Sequence, residues 1–478
     1  MTGSMEPDER LPVELGRVTN GEYAPALASD VARETERRAR ELVDRQARRR
    51  GVTRREFLRT SMATAAVLLV LDACSTAAQR SRGRSPGGRF RVPEEATVEP
   101  DAAREVLGGD EFVFDVQTHF LEYDLTRPTG NFGRGFPQAA CGEPDPRACF
   151  DIDHYLDALF VHSDTNLAVV SAIPASDNDG PLSTARMAEA RAVATRLCGD
   201  ERLLLHGQAL PALGSLGAQL DAMHALVRDY PIAAWKVYTH SPARWFLDDH
   251  DPALPAVGGP FLERVRETGV EIVCVHKGFG GAYASPVDLG PAARDHPDLT
   301  FVAYHSGFES GVREGPYDPN GLGVDRLVRT VREHSGPGRN VYAELGSTWF
   351  NAMRSPDAAA HVLGKLLSAV GPDNVLWGTD SIWYGSPQAQ IEAFRVFEIT
   401  EEYQERFGYP ALTPEVKRKI LGANAAALYG VEPNRTRCEF TRDELADARR
   451  ALAPLPVPGA RITAAMRAHM RAHGVPGA

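Results

Sequence analysis

The chain lacks a positive charge balance, a membrane-length apolar run in its body, a metal-clasping cysteine pair and a dinucleotide-binding glycine motif. Each lack removes a class of partner or chemistry. Its 478 residues carry 64 Asp and Glu against 53 Lys and Arg, a net charge of −11, whereas nucleic-acid binding requires a basic face. Nothing in the middle of the chain approaches the roughly 20 apolar residues that span a bilayer. Six cysteines are few for this length, so disulfides do not make the fold, and no CxxC spacing points to a structural zinc. Cys141 and Cys149 stand in a polar, proline-containing loop and could pair in an oxidising compartment. Cys198, Cys274 and Cys438 read as ordinary core or surface thiols.

What is present begins with an address. Residues 53–58 read TRREFL, and an uncharged apolar run follows from Met62 to Leu71. A paired arginine ahead of a short apolar stretch resembles a twin-arginine export signal, although the segment before it is unusually long. The run is too short for a transmembrane helix. It ends at Leu71, Asp72, Ala73 and Cys74, which admits a lipid tether on Cys74; the competing reading is cleavage after Ser75, Thr76 and Ala77. The expected location is the periplasm or cell envelope, with a membrane partner only through that tether.

Residues 78–110, rich in Arg, Ser, Gly and Pro, read as a solvated linker between this 1–77 extension and the body. Eight short apolar runs then alternate with segments of helical spacing. They begin near Phe112, Asn166, Leu203, Ile232, Glu271, Thr300, Asn340 and Asn374. No GxGxxG follows the first. Eight βα units over 111–432 predict an α/β fold, a (β/α)₈ TIM barrel, rather than a doubly wound sheet. A Gly/Pro-rich insertion, 127–150, and a C-terminal helical extension, 433–478, decorate it; the latter carries TRDELADARRALA and ARITAAMRAHMRAH.

In such a barrel chemistry sits at the C-terminal strand ends. Asp115, Gln117 and His119 alternate along the first strand and share a face. Further polar residues are His206 on strand three, Lys236 on strand four, His276 and Lys277 on strand five, His305 on six, Glu344 on seven and Asp380 on eight. A lone strand histidine is usually a satisfied core residue. Several imidazoles and carboxylates around one mouth are costly to desolvate unless a cation compensates them, and these groups are zinc-type ligands.

The run from Asp115 to His119, the strand-end His276 and His305, and Gly378, Thr379 and Asp380 resemble the amidohydrolase superfamily. The likeness is to its amidohydrolase-related (amidohydrolase-2) branch, which includes aminocarboxymuconate-semialdehyde decarboxylase. LTPEVKRKILGANAAALYG, residues 412–430, is similar to that branch's closing helices. The resemblance implies metal ligands at His119, His276 and Asp380 and a catalytic histidine at His305. It implies one divalent cation, zinc with manganese or iron as alternatives. The family has His-x-His on the first strand, whereas this chain has Gln117, a weaker neutral ligand through its carbonyl oxygen. A rival site would use His276, His305 and a carboxylated Lys236.

The implied reaction is hydrolysis of a small organic substrate through a cation-activated water, with Asp380 moving the proton and His305 hydrogen-bonding the developing oxyanion. The alternative is non-oxidative decarboxylation of a small carboxylic acid. A third reading is an exported binding protein that lost its metal with Gln117. Asp115 either orients a ligand or is structural. Trp235, Trp245, Trp349 and Trp383 either wall a pocket or pack loops, and Lys277 is a candidate for a substrate carboxylate. A homo-oligomer is left open.

Overall fold

The computed structural model describes residues 10–25, 27–126, 135–175, 180–433 and 436–452. Each of the eight apolar runs forms a strand: β2 (Phe114–Thr118), β3 (Leu167–Val170), β4 (Leu203–Ala209), β5 (Ile232–Tyr238), β6 (Ile272–His276), β7 (Thr300–Tyr304), β8 (Val341–Glu344) and β9 (Val375–Leu376). They pair parallel in chain order. β1 (Gly88–Phe90) and β10 (Phe397–Ile399) pair antiparallel outside this sheet. Alternation sorts the side chains. Leu167, Val169, Ala234, Cys274, Val302, Tyr304 and Leu376 fill the interior, while Ala168, Val170, Trp235, Val237, Val273, Val275, Phe301 and Ala303 pack outward on the helices.

The sheet closes between its first and last strands. Val116 N donates to Trp377 O at 3.0 Å, Asp380 N to Gln117 O at 3.0 Å and His119 N to Ser381 O at 2.6 Å. Closure therefore sets Gln117 and His119 beside Asp380. Register shifts in β2 between Asp115 and Thr118, an irregularity of the kind that re-aims side chains beside sites.

Before the barrel, an extended arm of residues 10–25 precedes the helix Asp30–Arg50, which Ser29 caps and Gly51 ends in a left-handed turn at φ 68°. The helix Ser61–Arg80 includes the apolar run. It is long and apolar enough to cross a membrane by length and composition, but here Ala63, Ala65, Ala66, Val67, Leu68 and Leu71 are buried in the core. The segment expected to be a solvated linker instead folds. It contains β1 and the helix Pro100–Leu107, buries Phe90, Val92, Ala96 and Val98, and ties Arg89 to Asp72 at 2.7 Å. The linker-like composition is confined to its first residues.

Cys141 and Cys149 form a disulfide. So do Cys198 and Cys438, contrary to their reading as ordinary thiols: the tail folds back over the helix Thr184–Cys198 and brings together residues 240 positions apart. The first tail pattern is the helix Arg442–Ala451, opened by a Thr441–Glu444 capping box. The second, and the first part of the 127–150 insertion, lie outside the described residues.

One buried histidine makes stability pH-dependent. His361, on the helix Pro356–Ala369, is 5% exposed and its Nδ1 meets Tyr409 Oη at 2.9 Å. Burial, then the charge of Lys365, pulls its pKa from 6.5 down to about 4. Below pH 6.5 the unfolded chain takes up this proton before the folded one does, so stability falls by up to about 1.4 kcal/mol per pH unit down to the folded pKa. Denaturant midpoints measured between pH 7 and 4.5 should fall less steeply in His361→Phe; an unchanged slope rejects this source.

Candidate metal centre

The strand ends deliver the side chains through strained turns. His305, Ser306, Ser347, Asp380 and Phe279 all have left-handed backbones, with φ between 50° and 66°, an uncommon state for non-glycine residues that concentrates at functional sites. Asp115 holds two of the elements together. Its Oδ1 accepts from Gln117 N at 3.1 Å and Thr379 N at 3.0 Å, and its Oδ2 from the Thr379 hydroxyl. Burial nevertheless raises its pKa to about 7.

Two histidines are set in the same way. His119 Nδ1 lies 2.7 Å from Ser171 O, and His305 Nδ1 lies 2.8 Å from Gly346 O. A carbonyl accepts only, so in both rings Nδ1 carries a proton and Nε2 is turned into the site, the orienting pattern of metal-ligating histidines. His119 Nε2 lies 3.3 Å from Asp380 Oδ1, and His305 Nε2 lies 3.3 Å from Gln117 Nε2. His276 is 2% exposed, with neither ring nitrogen hydrogen-bonded among the described residues; its ring centroid is 4.6 Å from that of His305. Burial, then the neighbouring His276, pulls His305 down to about 3, and burial followed by Lys236 pulls His276 well below its usual value. Both rings are neutral at pH 7.

Asp380 stands at the centre. Its Oδ2 accepts from Asn20 Nδ2 at 2.8 Å and Ser347 Oγ at 2.5 Å, and its Oδ1 from Gln117 Nε2 at 3.1 Å. Burial opposes its charge, but a proton shared with His119 Nε2, and then the Ser347 hydroxyl, hold the carboxyl below the usual range. Ser347 Oγ continues to Tyr384 Oη at 2.6 Å, and that to Tyr23 Oη at 3.0 Å.

Asn20 and Tyr23 come from the N-terminal arm, as does Glu22, whose Oε1 lies 3.1 Å from His276 Nε2. Ligand atoms of Glu22, His276 and His305 all fall within 4.8 Å of one another. None of these arm residues was legible as a site residue, because nothing in VTNGEYAP carries a periodicity or motif. A cavity of about 850 Å³ lies beside the arm, lined by Glu14, Arg59, His154, His162, Tyr384 and Arg442 among others. His119, His276, His305 and Asp380 do not line it.

The donor set fits a divalent cation. His119 turns a lone pair toward a carboxylate, an arrangement that calls for a proton or a cation between them. His276 has two nitrogens without a hydrogen bond among the described residues. Gln117 Oε1 is buried without a donor among the described residues, and a Cβ built on Gly346 would collide with both that oxygen and Glu344 Oε1. Turning the Gln117 amide over, an exchange of look-alike ends, would offer its NH₂ to the Glu344 carboxylate and its oxygen to the cluster. A second grouping of Cys141, Glu143 and His154 has its cysteine in a disulfide.

Other candidates have different work. Lys277 is not available to a substrate carboxylate: its Nζ is buried on Asp288 Oδ1 at 2.7 Å and Thr239 Oγ1 at 3.0 Å. Lys236 Nζ has no hydrogen-bond partner among the described residues and lies 3.6 Å from the Tyr304 ring centroid; burial draws it down to about 8. His206 bonds to the Ser171 hydroxyl and Tyr429. Glu344 accepts from His305 N at 3.0 Å and from Gly346 N. Trp235, Trp245 and Trp349 are buried in packing, their indoles bonded to Thr268, Tyr238 and Gln390. Trp383 alone of the four sits by the centre, 6.0 Å from His119 between centroids.

The family profile described as "Amidohydrolase" matches residues 115–431. Among solved structures, 5-carboxyvanillate decarboxylase from Novosphingobium aromaticivorans, with bound manganese, is 13% identical, covering 67% of this chain and 97% of that one at a TM-score of 0.39. Dihydroorotase from Campylobacter jejuni is 13% identical, covering 67% and 84% at 0.35. The 2,6-dihydroxybenzoate decarboxylase from Rhizobium is 14% identical, covering 67% and 99% at 0.37. No curated protein matches the chain.

Proposed function

The chain belongs to the amidohydrolase family, and from that premise we propose that it is a divalent-metal-dependent carboxy-lyase acting on a small carboxylic acid. The observation that carries this reading is the state of Asp380. Hydrolysis, the reaction expected from sequence, requires this carboxylate to take a proton from water. With Asn20 and Ser347 both donating to its Oδ2 and its Oδ1 turned to His119 Nε2, it has its lone pairs engaged and is poorly placed to take a proton from water.

Decarboxylation has other requirements. The substrate carboxylate must leave water, and the carbon that loses CO₂ must receive one proton. The arm supports the first by laying Asn20, Glu22 and Tyr23 over the mouth, because excluding water removes the solvation that stabilises a free carboxylate. The hydroxyl chain supports the second: Ser347, Tyr384 and Tyr23 form a connected route to Asp380 Oδ2 along which a proton taken from water can be relayed. A cation held by His119, His276, Asp380 and the Gln117 carbonyl would supply a fixed positive charge for the substrate carboxylate and for negative charge that develops as the bond breaks. In its present tautomer His305 presents an acceptor, which suits a ligand better than the oxyanion donor expected from sequence.

The metal would be zinc, manganese or iron, and metal analysis of the purified protein decides among them. A panel of small carboxylates, esters, lactones and amides in D₂O tests the reaction. The expected result is CO₂ release with one deuterium in the product at the carbon that lost it. Acid release from an ester, lactone or amide without CO₂ would establish hydrolysis instead. We also propose export to an oxidising compartment, supported by the two disulfides and the arginine pair before the apolar helix. Fractionation of cells expressing the full chain checks it.

A further inference from the structure

The arm does more than cover the mouth. We propose that Glu22 is a metal ligand, a second carboxylate supplied by the N-terminal arm to the centre built by the barrel. This rests on the metal-dependent reading above and adds a residue outside the barrel and outside the family match. Glu22 Oε1 lies 3.1 Å from His276 Nε2, yet among the described residues both nitrogens of that buried ring lack a hydrogen bond. Two ligand-type atoms drawn together without hydrogen-bond alignment are placed as they would be around a shared cation, and His305 completes the group within 4.8 Å.

The carboxylate is held for this role. Its Oε2 accepts from Asn20 Nδ2 at 2.9 Å, and Glu22 N donates to Asn20 Oδ1 at 3.0 Å. The same Asn20 Nδ2 reaches Asp380 Oδ2 at 2.8 Å, so one amide spaces the two acidic groups. The arm is fixed on both sides of Glu22. Arg354 donates to Gly16 O, Thr19 N to Gly135 O at 3.1 Å, and Ser310 Oγ to Ala24 O at 3.0 Å. Tyr23 packs on Phe279 with centroids 5.0 Å apart. An anionic ligand also offsets the neutrality of Gln117, since Asp380 is otherwise the one carboxylate among the proposed ligands. Cleavage after Ala77 would remove this ligand, so the assignment requires the arm to stay attached.

Titration of the metal-free full chain with Co²⁺, followed by its visible absorption, tests the assignment without reference to turnover. Glu22→Gln keeps the side chain's size and its acceptor for Asn20; it should weaken Co²⁺ binding at least about tenfold and shift the absorption bands. Ser310→Ala loosens the arm but leaves the carboxylate, and should bind within twofold of wild type. Should Glu22→Gln fail to fold by circular dichroism, Glu22→Asp should fold and show a smaller loss of the same kind. Wild-type affinity and bands in Glu22→Gln overturn the assignment. If His119→Ala and Asp380→Ala also bind Co²⁺ as wild type does, the metal centre itself is wrong, so the two failures are distinguishable.

Discussion

Asp380→Ala is expected to reduce turnover by at least about a thousandfold and to remove most of the bound divalent metal. The two losses have separate origins. Asp380 Oδ1 faces His119 Nε2 and Gln117 Nε2, so its removal takes the anionic partner from the β2 side of the centre. Its Oδ2 ends the hydroxyl chain through Ser347, Tyr384 and Tyr23, so the proton route ends short of the reacting carbon. Asp380→Asn separates them. The amide keeps an oxygen for Asn20 or Ser347, and some metal should remain, but an amide cannot carry the proton and turnover should still be lost. Ser347→Ala should cost less than either, because it interrupts the route and leaves the carboxylate. Metal content and kcat measured on the same preparations check all three. Turnover within tenfold of wild type in Asp380→Ala rejects the central role assigned here.

Lys365→Met is expected to destabilise the fold by about 3–5 kcal/mol, read as a lowered denaturant midpoint. Lys365 Nζ lies 2.6 Å from Glu314 Oε2 and 2.7 Å from Asp325 Oδ1, with the lysine side chain 1% exposed and the carboxylates 2% and 8%. Without the ammonium, two carboxylates face each other with little water. The other oxygens are already used: Glu314 Oε1 accepts from Val324 N at 3.0 Å and Asp325 Oδ2 from Asp318 N at 3.2 Å. This ion group fastens the loop after β7, which also carries Ser310, a support of the arm. Arm residues should therefore exchange amide hydrogen faster in Lys365→Met. Neutralising all three, with Glu314→Gln and Asp325→Asn added, should recover much of the loss. A midpoint unchanged in the single variant contradicts the buried-triad account.

The barrel was legible because its signal is local and repeated: strand and helix periodicities alternate, and each apolar run became a strand. Parity along β2 and the ends of β6, β7 and β9 pointed to Gln117, His119, His276, His305 and Asp380, which the structure gathers at the mouth. What the sequence concealed depends on neighbours distant in chain or hidden by folding. Lys277 resembled a substrate-recognition group because its residue type gives no sign of Asp288, which neutralises it across a turn. Cys198 and Cys438 looked independent because only the returning tail makes them adjacent. Asn20 and Glu22 lie in a stretch without pattern, and their meaning comes wholly from groups that follow hundreds of residues later.

That separation has a consequence for biogenesis. Asn20 leaves the ribosome 360 residues ahead of Asp380, its partner, and contacts so remote in sequence are slow to form. The seat of the arm is incomplete until β9 has emerged and joined β2. Docking of the arm, which is made before the barrel, is therefore completed late in maturation, and a chain truncated before β9 would leave Asn20 without its Asp380 partner.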